Sequence, residues 1–326
     1  MSRPVRVLSI DGGGIRGIIP AMVLNDIEEI TGERISSLFD LIGGTSTGAI
    51  IALGLAKPGE DGKPRFSAND IMRLYDEHGR KIFHRSIWRK VESAWSLLDE
   101  KYSPRGIEDV LDEYFGETGL REALTPLIIP AYEIESRSPW FFRSERAKVS
   151  QSYDFPMKVV ARAASAAPTY FEPLRIKIPD AIDYHALIDG GVFANNPAMC
   201  TYVEARTLFP DDEDILMVSL GTGELTRRIM YKDARDWGLA QWAHPLLNVM
   251  FDGESDTVDY QLKQLLQPPG RGKRYFRFQT RLDSGNDDLD DASEHNLHNL
   301  KIETKEMIEK HAEDLELLCD MLVDGI

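Results

Sequence analysis

Two glycine-rich turns near the start of the chain constrain its fold most. Val5, Val7, Leu8 and Ile10 form a short β-branched run, which reads as a strand buried on both faces. It stops at Asp11-Gly12-Gly13-Gly14-Ile15-Arg16-Gly17. Apolar residues then recur at helical spacing through Ile19, Val23, Ile27 and Ile30 to Thr31-Gly32. The pattern repeats at once, with residues 38–42 as a strand, 43–48 as a tight turn and 49–56 as the start of an apolar helix. Further along, residues 127–134, 140–143, 186–188 and Ile215–Leu220 read as strands, and residues 157–167 and Ala198–Leu208 as helices. This alternation over roughly 220 residues predicts an α/β fold, a largely parallel sheet with helices on both faces.

After Glu224 the pattern changes. Residues 233–267 read as mainly helical, 275–280 as one aromatic strand, 283–294 as an acidic linker and 297–322 as one long helix, while residues 68–114, within the sheet domain, also read as helical. The expected organisation is a sheet domain over 5–225 and a mainly helical appendage over 226–326 packed on it. At 326 residues, the chain is long enough for a sizeable core.

Charge narrows the partners. The chain has 38 basic and 54 acidic residues, a net charge of −16, which argues against bulk nucleic-acid binding. The acidity is uneven, since residues 281–326 hold 14 acids and 4 bases. Residues 80–90 hold five bases, no acid, and Ile82, Phe83, Ile87 and Trp88 between them, with Trp95 beyond. Such a segment can lie in a membrane interface or form an ordinary amphipathic helix. Cys200 and Cys319 stand in no metal-ligand spacing, and neither a signal-peptide core nor an apolar run of spanning length is evident. The expected location is the cytoplasm.

The chemistry concentrates in three short blocks. Gly44-Thr45-Ser46-Thr47-Gly48 matches G-x-S-x-G. There a serine sits on a strained strand-to-helix turn, and flanking glycines leave it room. The loop at 11–17 can gather backbone N–H groups around an oxyanion or a phosphate. Its Gly12-x-Gly14-x-x-Gly17 spacing also fits a dinucleotide site, which would need an acid at the end of the second strand; that strand ends in the serine turn, and Asp40, the nearest acid, lies near its start. A serine nucleophile needs a base. None of His78, His84, His185, His244, His295, His298 and His311 follows a strand in a small-residue turn. Asp189-Gly190-Gly191 does.

Together these blocks resemble those of bacterial patatin-like phospholipases. The matching residues are 11–17 (DGGGIRG), 44–48 (GTSTG) and 189–191 (DGG), with support from Ala163–Phe171, Asn195-Asn196-Pro197 and Ser219–Gly223. The resemblance covers about residues 5–225, roughly two thirds of the chain. It implies a three-layer α/β/α fold and a Ser–Asp dyad that hydrolyses lipid acyl esters, with Ser46 as nucleophile and Asp189 as base. Gly12, Gly13 and Gly14 would form the oxyanion hole with Arg16 beside it, and Gly44 and Gly48 would shape the elbow. Asp11 would brace the loop. No cofactor or metal is implied. Membrane phospholipid is the expected substrate, met peripherally on the inner face of the membrane, and a homodimer is possible. A cyclic nucleotide could act as activator, as in antiphage effectors of this kind, with Arg227, Arg228, Arg271, Lys273 and Arg274 as candidate phosphate contacts. The competing readings are a lipid-binding or storage protein on the same fold and a dinucleotide-dependent oxidoreductase.

Overall fold

A computed structural model describes residues 3–82, 105–180, 182–212, 214–225, 228–267, 270, 272–286 and 288–324. The strands are β1 (Val5–Ile10), β2 (Leu41–Gly44), β3 (Leu127–Glu133), β4 (Ser138–Arg143), β5 (Leu174–Lys177), β6 (Tyr184–Asp189), β7 (Ile215–Leu220), β8 (Glu224–Leu225), β9 (Tyr275–Phe278) and β10 (Arg281–Leu282). The main helices are α1 (Ile18–Thr31), α2 (Thr47–Ala56), α3 (Ala68–Ile82), α4 (Arg105–Phe115), α5 (Met157–Ala164), α6 (Ala198–Leu208), α7 (Leu239–Leu266), α8 (Glu294–Lys310) and α9 (Ala312–Val323).

An eight-stranded mixed sheet runs in the order β5-β6-β3-β2-β1-β7-β9, with β4 also on β3. β1 lies at its heart, parallel to both β2 and β7, and all six of its residues are buried. Its side chains alternate between faces. Leu8 and Ile10 join a core with α1, α2, α8 and α9, whereas Val5 and Val7 join a second core with α6 and α7. The α/β/α layering follows. Every residue of α2 is buried, as a helix apolar on all sides requires.

The edges of β3 decide where the site forms. β4 pairs along Ile128 to Glu133 and occupies one whole edge. A strand has only two edges, so β2 and β6 share the other. β2 pairs in parallel with Leu127 and Ile128, and β6 pairs antiparallel with Ala131, Tyr132 and Glu133. The two strands therefore meet head-on, C-terminal end to C-terminal end, beside Pro130. The Gly190 Cα lies so close to the Pro130 carbonyl that a Cβ there would come within 2.5 Å of its oxygen.

Several elements end differently from the sequence expectation. The helix expected over 157–167 stops at Ala164, and the Ala166 carbonyl instead accepts the Asp189 amide at 3.0 Å. The long C-terminal helix breaks at His311 into α8 and α9. Leu38 closes a helical turn, Ile35–Leu38, and β2 begins only at Leu41. Residues 226–326, expected as an appendage packed on the sheet domain, add strand β9 to the sheet itself, parallel to β7. They also place Phe276, Phe278, Leu300, Leu315, Leu318 and Leu322 in the same core as α1. The acidic linker is strapped down, since the Glu303 carboxylate accepts the amides of Asp283, Ser284 and Gly285 at 2.8, 2.6 and 3.2 Å.

Candidate active site

β2 runs into the elbow. Ser46 stands between β2 and α2 with φ 54° and ψ −118°, a left-handed conformation that strains a residue with a Cβ. The turn is packed too tightly for side chains at its flanks. A Cβ on Gly44 would collide with the Gly48 carbonyl, and one on Gly48 with the Ile10 carbonyl. The Thr45 amide donates to Ile10, and its hydroxyl donates to the Ala194 carbonyl at 2.6 Å.

β6 delivers Asp189 to the same point. Its carboxylate is buried, accepts the Gly191 amide at 2.7 Å and stands beside the Ser46 side chain, which stabilises its charge. Burial raises its pKa from 3.8 to about 6, because taking a carboxylate out of water penalises its charge more than these two donors stabilise it. It is therefore ionised at neutral pH, yet a stronger base than a solvated aspartate.

The loop after β1 lies over the serine. A Cβ on Gly12 would stand 3.4 Å from that of Ser46. Gly12 itself is fully engaged, its amide donating to the Asn195 carbonyl at 2.9 Å and its carbonyl accepting the Thr222 hydroxyl at 2.6 Å. The expected three-amide oxyanion hole is thus reduced by one, because Gly12 holds the loop in place. Among the described residues, the amides of Gly13 and Gly14 have no protein acceptor. Gly14 has φ 57°, and a Cβ there would strike the Leu289 carbonyl. Arg16 braces the loop from within, Nε to the Gly13 carbonyl at 3.4 Å and Nη1 to the Gly223 carbonyl at 3.5 Å.

Asp11 does not face the cleft. It is clamped by Arg277 of β9 through bonds of 3.0 and 2.6 Å, and Arg277 also reaches Ser219 and Ser255. Sequence reading missed Arg277. The signal was a lone base inside the aromatic strand Tyr-Phe-Arg-Phe, where a charge implies a buried partner.

Ser46 and Asp189 open onto a cleft of about 1130 Å³ of atom-free space, part of it open to solvent. Its walls are mostly apolar, from Ile50, Leu74, Ile82, Ile107, Phe171, Phe251 and Leu289. Phe251 and Leu289 come from the C-terminal third, which the sequence pattern did not place at this site. None of the histidines whose side chains are described lines this cleft. His185 lies against Trp140 with ring centroids 4.0 Å apart, His311 lies against Phe278, and His78 lies against Tyr114. His84 and the His244 side chain fall outside the described residues, as do residues 83–90 of the basic, aromatic segment and Trp95.

The remaining candidates separate. Asp40, the acid a dinucleotide would require, is held by the Arg3 guanidinium and the Arg6 amide. Of the expected phosphate contacts, Lys273 is paired with Asp314 and Arg274 with Asp214, while Arg227 and Arg271 lie outside the described residues and Arg228 is exposed. Trp140 of β4 is half-buried and stacks on Tyr153.

Comparison with known proteins places this geometry. Residues 8–201 match the family model described as patatin-like phospholipase. The chain belongs to the patatin-like phospholipase family. It is 33% identical to patatin-like protein 4 of Arabidopsis thaliana, over 91% of this chain and 81% of that one. It is 32% identical to patatin-T5 of Solanum tuberosum, over 94% and 84% respectively. A probable inactive patatin-3-Kuras 1 of the same plant is 32% identical over 90% and 83%. These three relatives are plant proteins. Family membership supports acyl-ester hydrolysis, and the inactive relative makes turnover a property to be measured. Among the described residues, no helix is long and apolar enough to cross a membrane.

Proposed function

We propose that this patatin-like chain is a phospholipase A-type acyl hydrolase working through a Ser46–Asp189 dyad. The observation that carries the reading is a strained serine set beside a buried aspartate, at the foot of an apolar cleft roofed by glycine amides. Asp189 takes the Ser46 proton as Oγ attacks the ester carbonyl. The amides of Gly13 and Gly14 receive the developing oxyanion. The C–O bond breaks, and the proton passes from Asp189 to the departing lysolipid oxygen. Water, deprotonated by the same carboxylate, then attacks the acyl-enzyme and releases the fatty acid. The apolar walls suit an acyl chain, and desolvation there strengthens the dipoles aimed at the oxyanion.

Ser46→Ala tests the reading. Fatty-acid release from phosphatidylcholine or phosphatidylethanolamine vesicles, and hydrolysis of p-nitrophenyl butyrate, should fall to background while the circular dichroism spectrum is unchanged. Turnover retained by the variant would overturn it. Wild-type protein that binds vesicles but neither turns over nor takes a fluorophosphonate label would favour the storage reading. The same assay with and without cyclic nucleotides tests the activator that the resemblance implies.

A further inference from the structure

The C-terminal third holds a buried carboxylate that the proposed chemistry does not use. Glu254 lies on α7, mostly out of solvent. Its Oε2 accepts the Asn196 amide at 2.9 Å, and the Asn195 amide is near enough to stabilise the carboxylate's charge. The carbonyl of the next residue, Ser255, accepts the Asn196 side-chain amide at 3.5 Å. Asn196 is itself buried, and its Oδ1 caps α6 through the Ala198 amide at 3.1 Å.

The segment that Glu254 grips touches both halves of the catalytic apparatus. The Asn195 carbonyl accepts the Gly12 amide at 2.9 Å and so sets the position of the glycine loop. The Ala194 carbonyl accepts the Thr45 hydroxyl, next to Ser46. A Cβ on Gly12 would come within 2.5 Å of Asn195 Oδ1, so loop and segment have no slack between them. Movement of residues 194–196 would therefore shift the oxyanion donors relative to Ser46.

We propose that Glu254 is a positioning residue for acyl transfer, acting through Asn195 and Asn196 on the Gly12–Gly14 loop and the Ser46 elbow. It touches no substrate. The inference rests on the Ser46–Asp189 reading, and it adds that the competent geometry is set by a helix outside the residues 8–201 that carry the family match. A carboxylate suits the position because one acceptor-only group can hold two successive backbone amides. Glutamine offers a single acceptor oxygen, and its NH2 would oppose the second amide.

Ionisation gives a readout beyond stability. Burial and the nearby Asp11 carboxylate raise Glu254 to about 7, opposed by the two amides and the Arg277 guanidinium; the Cys200 thiol is its other titratable neighbour. Loss of its charge on acidification weakens the grip on both amides. The acid limb of wild-type kcat should thus contain two ionisations, near 7 and near 6, the second belonging to Asp189.

The test uses full-length wild type, Glu254→Gln, Glu254→Asp and Ser46→Ala, with p-nitrophenyl butyrate across pH 5 to 9. In Glu254→Gln we expect kcat to fall about tenfold or more at pH 8 with KM within twofold, and the ionisation near 7 to vanish. Glu254→Asp should recover part of kcat. A folded Glu254→Gln protein with wild-type kcat and both ionisations would overturn the proposal. If Glu254→Gln does not fold, the pH dependence of wild-type labelling by a fluorophosphonate decides, and a single ionisation near 6 would overturn it. Activity surviving in Ser46→Ala would instead overturn the dyad reading.

Discussion

Replacing Asp189 by asparagine should stabilise the protein while stopping turnover. The carboxylate is buried beside the Gly191 amide and the Ser46 side chain, and its pKa is raised from 3.8 to about 6. A raised carboxyl pKa means that the folded state holds the proton more tightly than the unfolded one. The penalty is absent below pH 3.8, grows between pH 3.8 and 6, and is complete above pH 6. The gap of roughly two pH units corresponds to about 3 kcal/mol at pH 8, and to about half of that at pH 5. Asparagine keeps the shape and an acceptor for the Gly191 amide, which lies 2.7 Å from Asp189 Oδ1, and carries no charge to desolvate. Urea unfolding at pH 8 and pH 5 measures the difference. Asp189→Asn should be more stable than wild type by about 3 and about 1.5 kcal/mol respectively. By thermal melting the gain at pH 8 amounts to about 4 °C for a chain of this size. Over the same range kcat/KM should drop by about 10²–10⁴. A variant less stable than wild type at pH 8, or one whose advantage does not shrink on acidification, would refute the view that Asp189 is held as a desolvated base.

Three further outcomes can be measured. Wild-type kcat/KM for a soluble ester should fall as pH drops below about 7 and again through about 6, where Asp189 gains its proton, and a profile flat to pH 5 would contradict this. Gly14→Ala forces a side chain into left-handed backbone and against the Leu289 carbonyl. It should lower kcat by about 10²–10³ with less effect on KM, as loss of one oxyanion donor does. Arg277→Met leaves Asp11 as a buried charge without its partner, and chemical denaturation should show a loss of about 3–5 kcal/mol.

Much of the site can be read locally. A serine between two glycines, after a strand and before an apolar helix, signals an elbow locally, because the Gly44 clash arises within the turn itself, while the Gly48 clash adds the adjoining end of β1. Asp189 is legible for a related reason, since a carboxylate followed by two glycines at a strand end must stand at the sheet's rim. Element ends were less legible. Nothing between residues 297 and 322 breaks the helical pattern, yet the chain turns at His311, where its amide is shared between the Met307 and Ile308 carbonyls. The 14 acids and 4 bases of residues 281–326 would suit a solvated segment. Leu300, Leu315, Leu318 and Leu322 instead close the core over α1, and the Leu322 carbonyl accepts the Arg6 guanidinium at 2.6 Å. Removing this segment would therefore open the core.

The sequence by itself determined the chemistry available, namely a strained serine, a glycine loop with amides to offer and a carboxylate at a strand end, because each depends on backbone sterics within a few residues. Only the tertiary structure decided that these parts act on one another. Ser46 and Asp189 are 143 residues apart. They meet because β2 and β6 share one edge of β3 and run toward each other along it. The same packing removes Asp189 from water and makes it a base. Arg277, Glu254 and Leu289, all beyond residue 225, fix the glycine loop through contacts that no local pattern encodes.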